Sequence, residues 1–409
     1  MRHLLSRILN MSKNTIPLPL GFLASGIHAG LKSKGKLDMG FLYSSQPAVW
    51  AGVVTKNAVK AAPARRTETL LQGRKPMRAV VVNTKYANDL TGLQGYKDVL
   101  DTAVWAATLL KIPAHEVLVH STGVIGVPIP RPKIKKGIQL GIKALSFSGG
   151  DDFSRAILTT DLVIKSSARS LTINGSRVWM VGFAKGSGMI HPNMATMLVY
   201  ILTDAAISRP LLDKALREAT EMSFNRITVD GDTSPSDSVV VLANGASGAK
   251  SITQPGADYR AFVEALKGVS LDLAQDVIRD GEGATKFITV TVQGARKDSE
   301  ALLAAKAIAH SPLVKTAIFG ADPNWGRILT AVGYSGAAVD EFKAKVSIGG
   351  YMLYDGEPRK GWSRAKLKKI LQQKDVTILV DLKLGKGKTT VYTCDLTDGY
   401  IDINGRYTT

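Results

Sequence analysis

Lys185-Gly186-Ser187-Gly188-Met189-Ile190-His191-Pro192-Asn193-Met194-Ala195-Thr196-Met197-Leu198 joins a glycine-rich loop to a proline-constrained turn and then to the head of an apolar run. Met197 to Thr203 reads as a buried strand, and Val178 to Phe183 reads as another just before the loop. A threonine hydroxyl at such a junction is a weak nucleophile until a base stands beside it. Cutting the bond before Thr196 would supply that base, because the freed α-amine titrates near pH ~8. Small Ala195 leaves the hydroxyl room to reach its own upstream carbonyl. By themselves the residues also fit a plain strand start, where β-branching favours threonine.

Outward from this stretch, strands are expected over residues 48–54, 79–82 and 117–119. A helix is expected over 98–110, and another opens over 153–158. On the C-terminal side come a helix over 211–224, a strand over 239–242, a helix over 259–280 broken near Gly268, a strand over 287–292 and a helix over 301–309. Beyond Asp340, strands alternate with a basic amphipathic helix around Lys366-Leu367-Lys368-Lys369-Ile370-Leu371. Strands and helices are mixed throughout and no repeat appears, so the class is α/β or α+β.

Composition narrows the partners. The 409 residues carry 53 Lys and Arg against 34 Asp and Glu, a net charge of +19. Apolar residues make up 45%, enough for a large core shared among two or three domains. Cys394 is the only cysteine, which excludes an internal disulfide and a Cys-rich metal site and fits a reducing compartment. No apolar run approaches the roughly 18 residues of a membrane span. Aromatics are 6% and do not interleave with the basic residues, so no nucleic-acid partner is expected and the charge better suits focusing an anionic small substrate. Residues 1–16 form an N-terminal extension; its first ten are basic, and no acidic residue precedes Asp38. They read as a frayed start, with Met11 as an alternative initiator, or as a short targeting segment.

Three further constellations bear on chemistry. Ser121-Thr122-Gly123 ends a strand in a small-residue turn, which can aim N–H groups and a hydroxyl at a developing oxyanion, although such turns are commonly structural. Asp230-Gly231-Asp232-Thr233-Ser234-Pro235-Ser236-Asp237 holds three carboxylates without EF-hand spacing and reads as a hydrogen-bonded turn. Gly281-Glu282-Gly283-Ala284-Thr285-Lys286 sets a carboxylate between glycines, where a ligand amine can approach closely; it is not a phosphate loop. The histidines have no metal-ligand spacing, and no metal site is expected.

In this order the pieces resemble the glutamate N-acetyltransferase family of arginine biosynthesis, also called ornithine acetyltransferase. The resemblance runs from about Pro17 to Thr409. It includes Gly21-Phe22-Leu23-Ala24-Ser25-Gly26-Ile27-His28-Ala29-Gly30-Leu31-Lys32, Ala51-Gly52-Val53-Val54-Thr55-Lys56-Asn57, Asp322-Pro323-Asn324-Trp325-Gly326-Arg327 and Tyr400-Ile401-Asp402-Ile403-Asn404. The Asn-Met-Ala-Thr-Met-Leu string within Lys185–Leu198 is its most specific part. The resemblance implies a layered α/β/β/α sandwich of the ornithine acetyltransferase and self-processing aminopeptidase type, with a smaller C-terminal α/β part over about 300–409. It implies cleavage between Ala195 and Thr196 into an α chain of residues 17–195 and a β chain of residues 196–409, assembled as two α and two β chains. Thr196 would carry the acetyl group, and Thr122 and Gly123 would line the oxyanion site. Thr159 (or Thr160), Lys185, Glu282, Asn404 and Thr409 would contact substrate.

The implied reaction moves acetyl from N-acetylornithine to glutamate, with acetyl-CoA as a further donor and no cofactor or metal. A cytoplasmic site is implied, or the mitochondrial matrix if the N-terminal segment targets. The alternative is a self-processing aminopeptidase or amidase with water as acceptor. Two departures stand out. Thr84-Lys85-Tyr86-Ala87-Asn88 replaces the family's usual Ser-Gly-Asn-Ala-Asn, and Pro235 and Ser236 lie where Thr and Asn are more usual.

Overall fold

The computed structural model describes residues 16–33, 35–191 and 197–406. The chain divides into two compact units. The first comprises Met1–Gly186, Asn193–Asn225 and Thr233–Ala274; the second comprises Ser187–Pro192, Arg226–Asp232 and Gln275–Thr409. Each unit has its own sheet and helices, so the mixed α/β class expected from the sequence holds.

The first unit contains strands β1 (Phe22–Ile27), β2 (Met39–Val54), β3 (Met77–Asn83), β4 (Val117–Ser121), β5 (Lys165–Ile173), β6 (Ser176–Lys185) and β7 (Leu198–Thr203). Strand β8 (Ile227–Thr228) belongs to the second unit, and β9 (Ser238–Ala243) returns to the first. Their order is β4-β3-β2-β9-β7-β6-β5, with β1 alongside β2. The runs Leu-Val-Tyr-Ile-Leu-Thr in β7 and Ser-Val-Val-Val-Leu-Ala in β9 are buried at every position, as strands covered on both faces require. Asn174 and Gly175 both have positive φ, the conformation of a tight hairpin turn. They set the β5–β6 register from Ile173↔Ser176 back to Lys165↔Ala184.

Among the described residues six helices begin in this unit: α1 (Ala62–Gly73), α2 (Gly92–Leu110), α3 (Arg131–Lys143), α4 (Gly150–Ala156), α5 (Arg209–Met222) and α6 (Ala257–Arg279). Helix α1 has no counterpart among the sequence expectations; its turns are largely polar, with Pro63 pre-set in the first of them. The expected break near Gly268 does not occur, because α6 is continuous across it. One glycine costs a helix about 1 kcal/mol, too little to interrupt 23 residues. A Cβ at Gly268 would stand 3.3 Å from Arg169 Nε, so the glycine leaves room for that side chain.

Burial at His120 makes stability depend on pH. Its ring sits in the core, with Nδ1 2.9 Å from the Tyr200 hydroxyl and Nε2 3.2 Å from the Thr67 hydroxyl. Burial, reinforced by the Arg66 charge, lowers its pKa to about 3. An unfolded histidine titrates near ~6.5, so between these values the unfolded chain binds the extra proton and folding is penalised as pH falls. The expected loss begins below pH ~6.5 and reaches on the order of 5 kcal/mol by pH ~3. Melting curves of the native protein and His120→Gln across that range would show it, the variant being expected to have the shallower slope.

Strand β2 changes neighbours along its length. Its first part, Met39 to Tyr43, lies between β1 and β3, whereas Val49 to Val54 pairs with β9. Among the described residues no strand pairs the other side of that second half. The Thr55 N–H donates to the Asp237 carbonyl, so alternation turns the peptide groups of Gly52 and Val54 toward this open side. A groove of about 930 Å³ lies there between α1 and α5, and Lys56, Lys60, Arg74, Arg209 and Arg217 line it. Glu68 pairs with Lys60 at 2.7 Å, and Asp213 lies 3.8 Å from Arg209.

The second unit orders its strands β12-β11-β13-β10-β14-β8. These are β10 (Phe287–Ala295), β11 (Lys345–Ile348), β12 (Tyr351–Asp355), β13 (Asp375–Asp381) and β14 (Gly387–Cys394) beside β8. Helices α7 (Asp298–His310), α8 (Pro312–Phe319), α9 (Trp325–Gly333), α10 (Arg364–Leu371) and α11 (Asp398–Gly405) complete it. The expected basic helix is α10, capped by Ser363, with Leu367 and Leu371 buried and its lysines outward. No single helix among the described residues is long and apolar enough to cross a membrane.

Candidate active site

In the first unit, the turn after β4 is held on the segment after β3. The Thr122 N–H donates to the Asn83 carbonyl at 3.0 Å, and the Val124 N–H donates to the Lys85 carbonyl at 3.0 Å. Gly123 between them has φ +133°, and a Cβ there would overlap the Lys85 carbonyl. Only a glycine fits that close approach. Lys85 itself sits at φ +75°, where the family's usual glycine would be at ease. Lys185 ends β6 opposite Leu198 of β7, and its ammonium donates to the Thr122 hydroxyl at 3.1 Å. A hydroxyl that accepts from a cation keeps its own proton to donate to an anionic oxygen.

Asp161 is the hub of the same network, and its side chain is fully buried. Its carboxylate accepts from the Lys165 ammonium at 2.7 Å, the Gly186 N–H at 2.7 Å and the Thr159 N–H at 2.9 Å. Burial opposes its charge, yet the Lys185 and Lys165 charges outweigh it and hold the carboxyl well below the usual range. Lys32 ties in a further segment by donating to the Leu158 carbonyl at 2.6 Å. Burial lowers its pKa to about 8 against the opposing pull of Asp38 and Asp161.

In the second unit, the Glu282 N–H donates to the Ser187 carbonyl at 2.9 Å, and its carboxylate accepts from Asn404 Nδ2 at 2.9 Å. A Cβ on Gly188 would overlap that carboxylate, so Gly188 is what lets the loop lie against it. Asp230 closes its own turn by accepting from the Asp232 N–H at 3.1 Å. It also clamps the loop, accepting from the N–H groups of Met189 at 2.6 Å and Ile190 at 2.9 Å. The Tyr400 hydroxyl donates to Asp230 at 3.3 Å; burial and that carboxylate push the phenol well above its ordinary pKa. Among the described residues no cluster of three or more His, Cys, Asp or Glu could hold a metal.

Of the residues picked out by sequence, Thr122, Gly123, Thr159 and Lys185 fall in one network, and Glu282 and Asn404 in another. Ala195, Thr196 and Thr409 lie outside the described residues. Asp161, Lys165 and Lys32 were not foreseen as site neighbours. The signal that finds the first two is Asn174-Gly175. Reading that pair as a two-residue hairpin turn sets Lys165 opposite Ala184, which brings Asp161 toward Gly186.

Comparison with known proteins follows the same lines. The arginine biosynthesis bifunctional protein ArgJ of Geobacillus kaustophilus is 45% identical over 404 residues, spanning 99% of this chain and 98% of its own. Its namesake from Symbiobacterium thermophilum is 47% identical, spanning 96% of this chain and 98% of its own. A crystal structure of the Bacillus halodurans ArgJ matches at 46% identity with a TM-score of 0.50, over 52% of this chain and 100% of that one. The chain is accordingly an acyltransferase of arginine biosynthesis, of the ornithine acetyltransferase class. The ArgJ family profile matches residues 23–409, and the chain belongs to the ArgJ family.

Proposed function

We propose that this enzyme transfers acetyl from N-acetylornithine to glutamate through an acetyl-Thr196 intermediate, after cutting itself between Ala195 and Thr196. The Thr196 hydroxyl attacks the acetyl carbonyl while its own α-amine, or a water held by it, takes the proton. The Thr122 hydroxyl and the Gly123 N–H hold the tetrahedral oxyanion. Ornithine departs with a proton, the glutamate amine attacks the acyl-threonine, and N-acetylglutamate leaves. Lys185 and Thr159 serve the substrate carboxylate end; Glu282, oriented by Asn404, serves its ammonium, and Thr409 is a further contact. Acetyl-CoA acylates the same hydroxyl, which makes the enzyme bifunctional. The α and β chains remain associated, two of each, in the cytoplasm.

The observation that carries this reading is the Lys185 ammonium on the Thr122 hydroxyl beside a turn that only Gly123 can make. The relative's solved chain adds support. Matched over its whole length, it spans 52% of this chain. That is the share of a fragment of 409 − 195 = 214 residues. Intact-mass measurement before and after addition of N-acetylornithine tests the proposal. Two fragments are expected from the 43.7 kDa chain, the one beginning at Thr196 gaining a single acetyl group. An uncut chain that turns over normally would overturn it.

A further inference from the structure

The Asp161–Lys165 pair sits in the network of Thr159 and Lys185 but has been given no role in the proposed reaction. Both side chains are fully buried, and burying two charges is costly unless their geometry is tightly satisfied. Here it is. One Asp161 oxygen accepts from the Lys165 ammonium and the Gly186 N–H; the other accepts from the N–H of Thr159 at 2.9 Å and lies 3.4 Å from its hydroxyl. Among the described residues, each group bonded to the carboxylate is a donor, a demand that a carboxylate meets and an amide does not. The donors come from separate places: the Thr159 turn, the head of β5 and the residue that follows Lys185 at the end of β6. Lys32, by its bond to Leu158, adds the segment after β1.

We infer that Asp161, with Lys165 as its counter-ion, is a positioning residue that holds Thr159 and the Lys185–Gly186 strand end where substrate needs them. It touches no reacting atom and acts through its neighbours. The inference rests on the proposed substrate roles of Lys185 and Thr159. Lys185 and Lys165 together keep Asp161 ionised, so both carboxylate oxygens stay acceptors and the turn and the strand end share one anchor. A hydrophobic pair of similar volume would fill the space equally well, but would leave the Gly186 and Thr159 N–H groups with no common anchor.

The test compares Asp161→Asn with Asp161→Asn/Lys165→Met. The single variant takes the carboxylate from beside a buried ammonium and is expected to melt earlier. The double variant removes that charge and should recover the melting temperature. Its amide still cannot accept on both sides, so the KM for N-acetylornithine and for glutamate should stay raised about tenfold or more, with kcat changed less than about threefold. Native KM values in a double variant of recovered stability would overturn the inference and leave the pair a core filler. Should that variant be insoluble, Asp161→Glu carries the same comparison: it keeps the charge but displaces it by a methylene, with raised KM expected and native KM overturning. Failure of the acyl-threonine reading is separately visible, because it shows as turnover in Thr196→Ala and leaves these KM comparisons intact.

Discussion

Thr196→Ala is expected to leave a single uncut chain of 43.7 kDa and to lower acetyl transfer at least about 10³-fold. Both losses have one cause. Cleavage needs a hydroxyl next to its own upstream carbonyl, and transfer needs that hydroxyl beside a free amine titrating near pH ~8. Alanine removes the oxygen, so the amine is never released. The other hydroxyls assigned to the proposed site are poor substitutes: Thr122 is committed to Lys185, and Thr159 is held at Asp161. Thr196→Ser should keep measurable cleavage, since it retains the oxygen and loses only a methyl group. A denaturing gel and a coupled transfer assay on the same preparations decide the matter. Native turnover in the alanine variant would move the nucleophile elsewhere.

Gly123→Ala is the second large effect, and it acts through the backbone. At φ +133° a β-carbon is strained in any surroundings, and here it would stand 2.7 Å from Lys85 Cα as well as overlapping the Lys85 carbonyl. Relief requires the turn to lift away from residues 83–87, against the Thr122–Asn83 and Val124–Lys85 hydrogen bonds. Lifting the turn displaces the Gly123 N–H and the Thr122 hydroxyl proposed to meet the oxyanion. Loss of one such donor costs about 3 kcal/mol, so kcat should fall roughly 10²–10³-fold while KM moves much less. Self-cleavage, which passes through a tetrahedral centre of its own, should slow as well. A kcat within threefold of native would mean that the turn is only scaffolding.

How much was legible in the sequence follows from the range of the forces involved. Strands such as β3, β7 and β9 announce themselves because a run of β-branched residues has nowhere to go but a covered sheet. The basic helix α10 is equally plain, since Leu367 and Leu371 repeat at helical spacing. Gly268 misled because a propensity near 1 kcal/mol is small beside the packing along α6. The site was half visible. Asn-Met-Ala-Thr-Met-Leu and Ser-Thr-Gly are local strings, and local strings survive in one dimension. Asp161 and Gly186 are 25 residues apart, and nothing about either shows the other until the hairpin at Asn174-Gly175 is closed. Lys85 is a different case. Its φ of +75° is set by the turn it must match, not by its own preference.

The open side of β2 has a bearing on how copies of the protein behave in a crowd. Bare peptide groups along a strand invite a neighbour to zip on and start a stack. Here each would-be partner presents the same net-positive fringe, five lysines and arginines against Glu68 and Asp213, so like charges meet before the backbones do. The penalty fades once salt shortens the reach of those charges to a few ångströms, or once acid polymers blanket them. Colloidal dispersal of this enzyme is thereby tied to the ionic make-up of its surroundings through the rim of one strand.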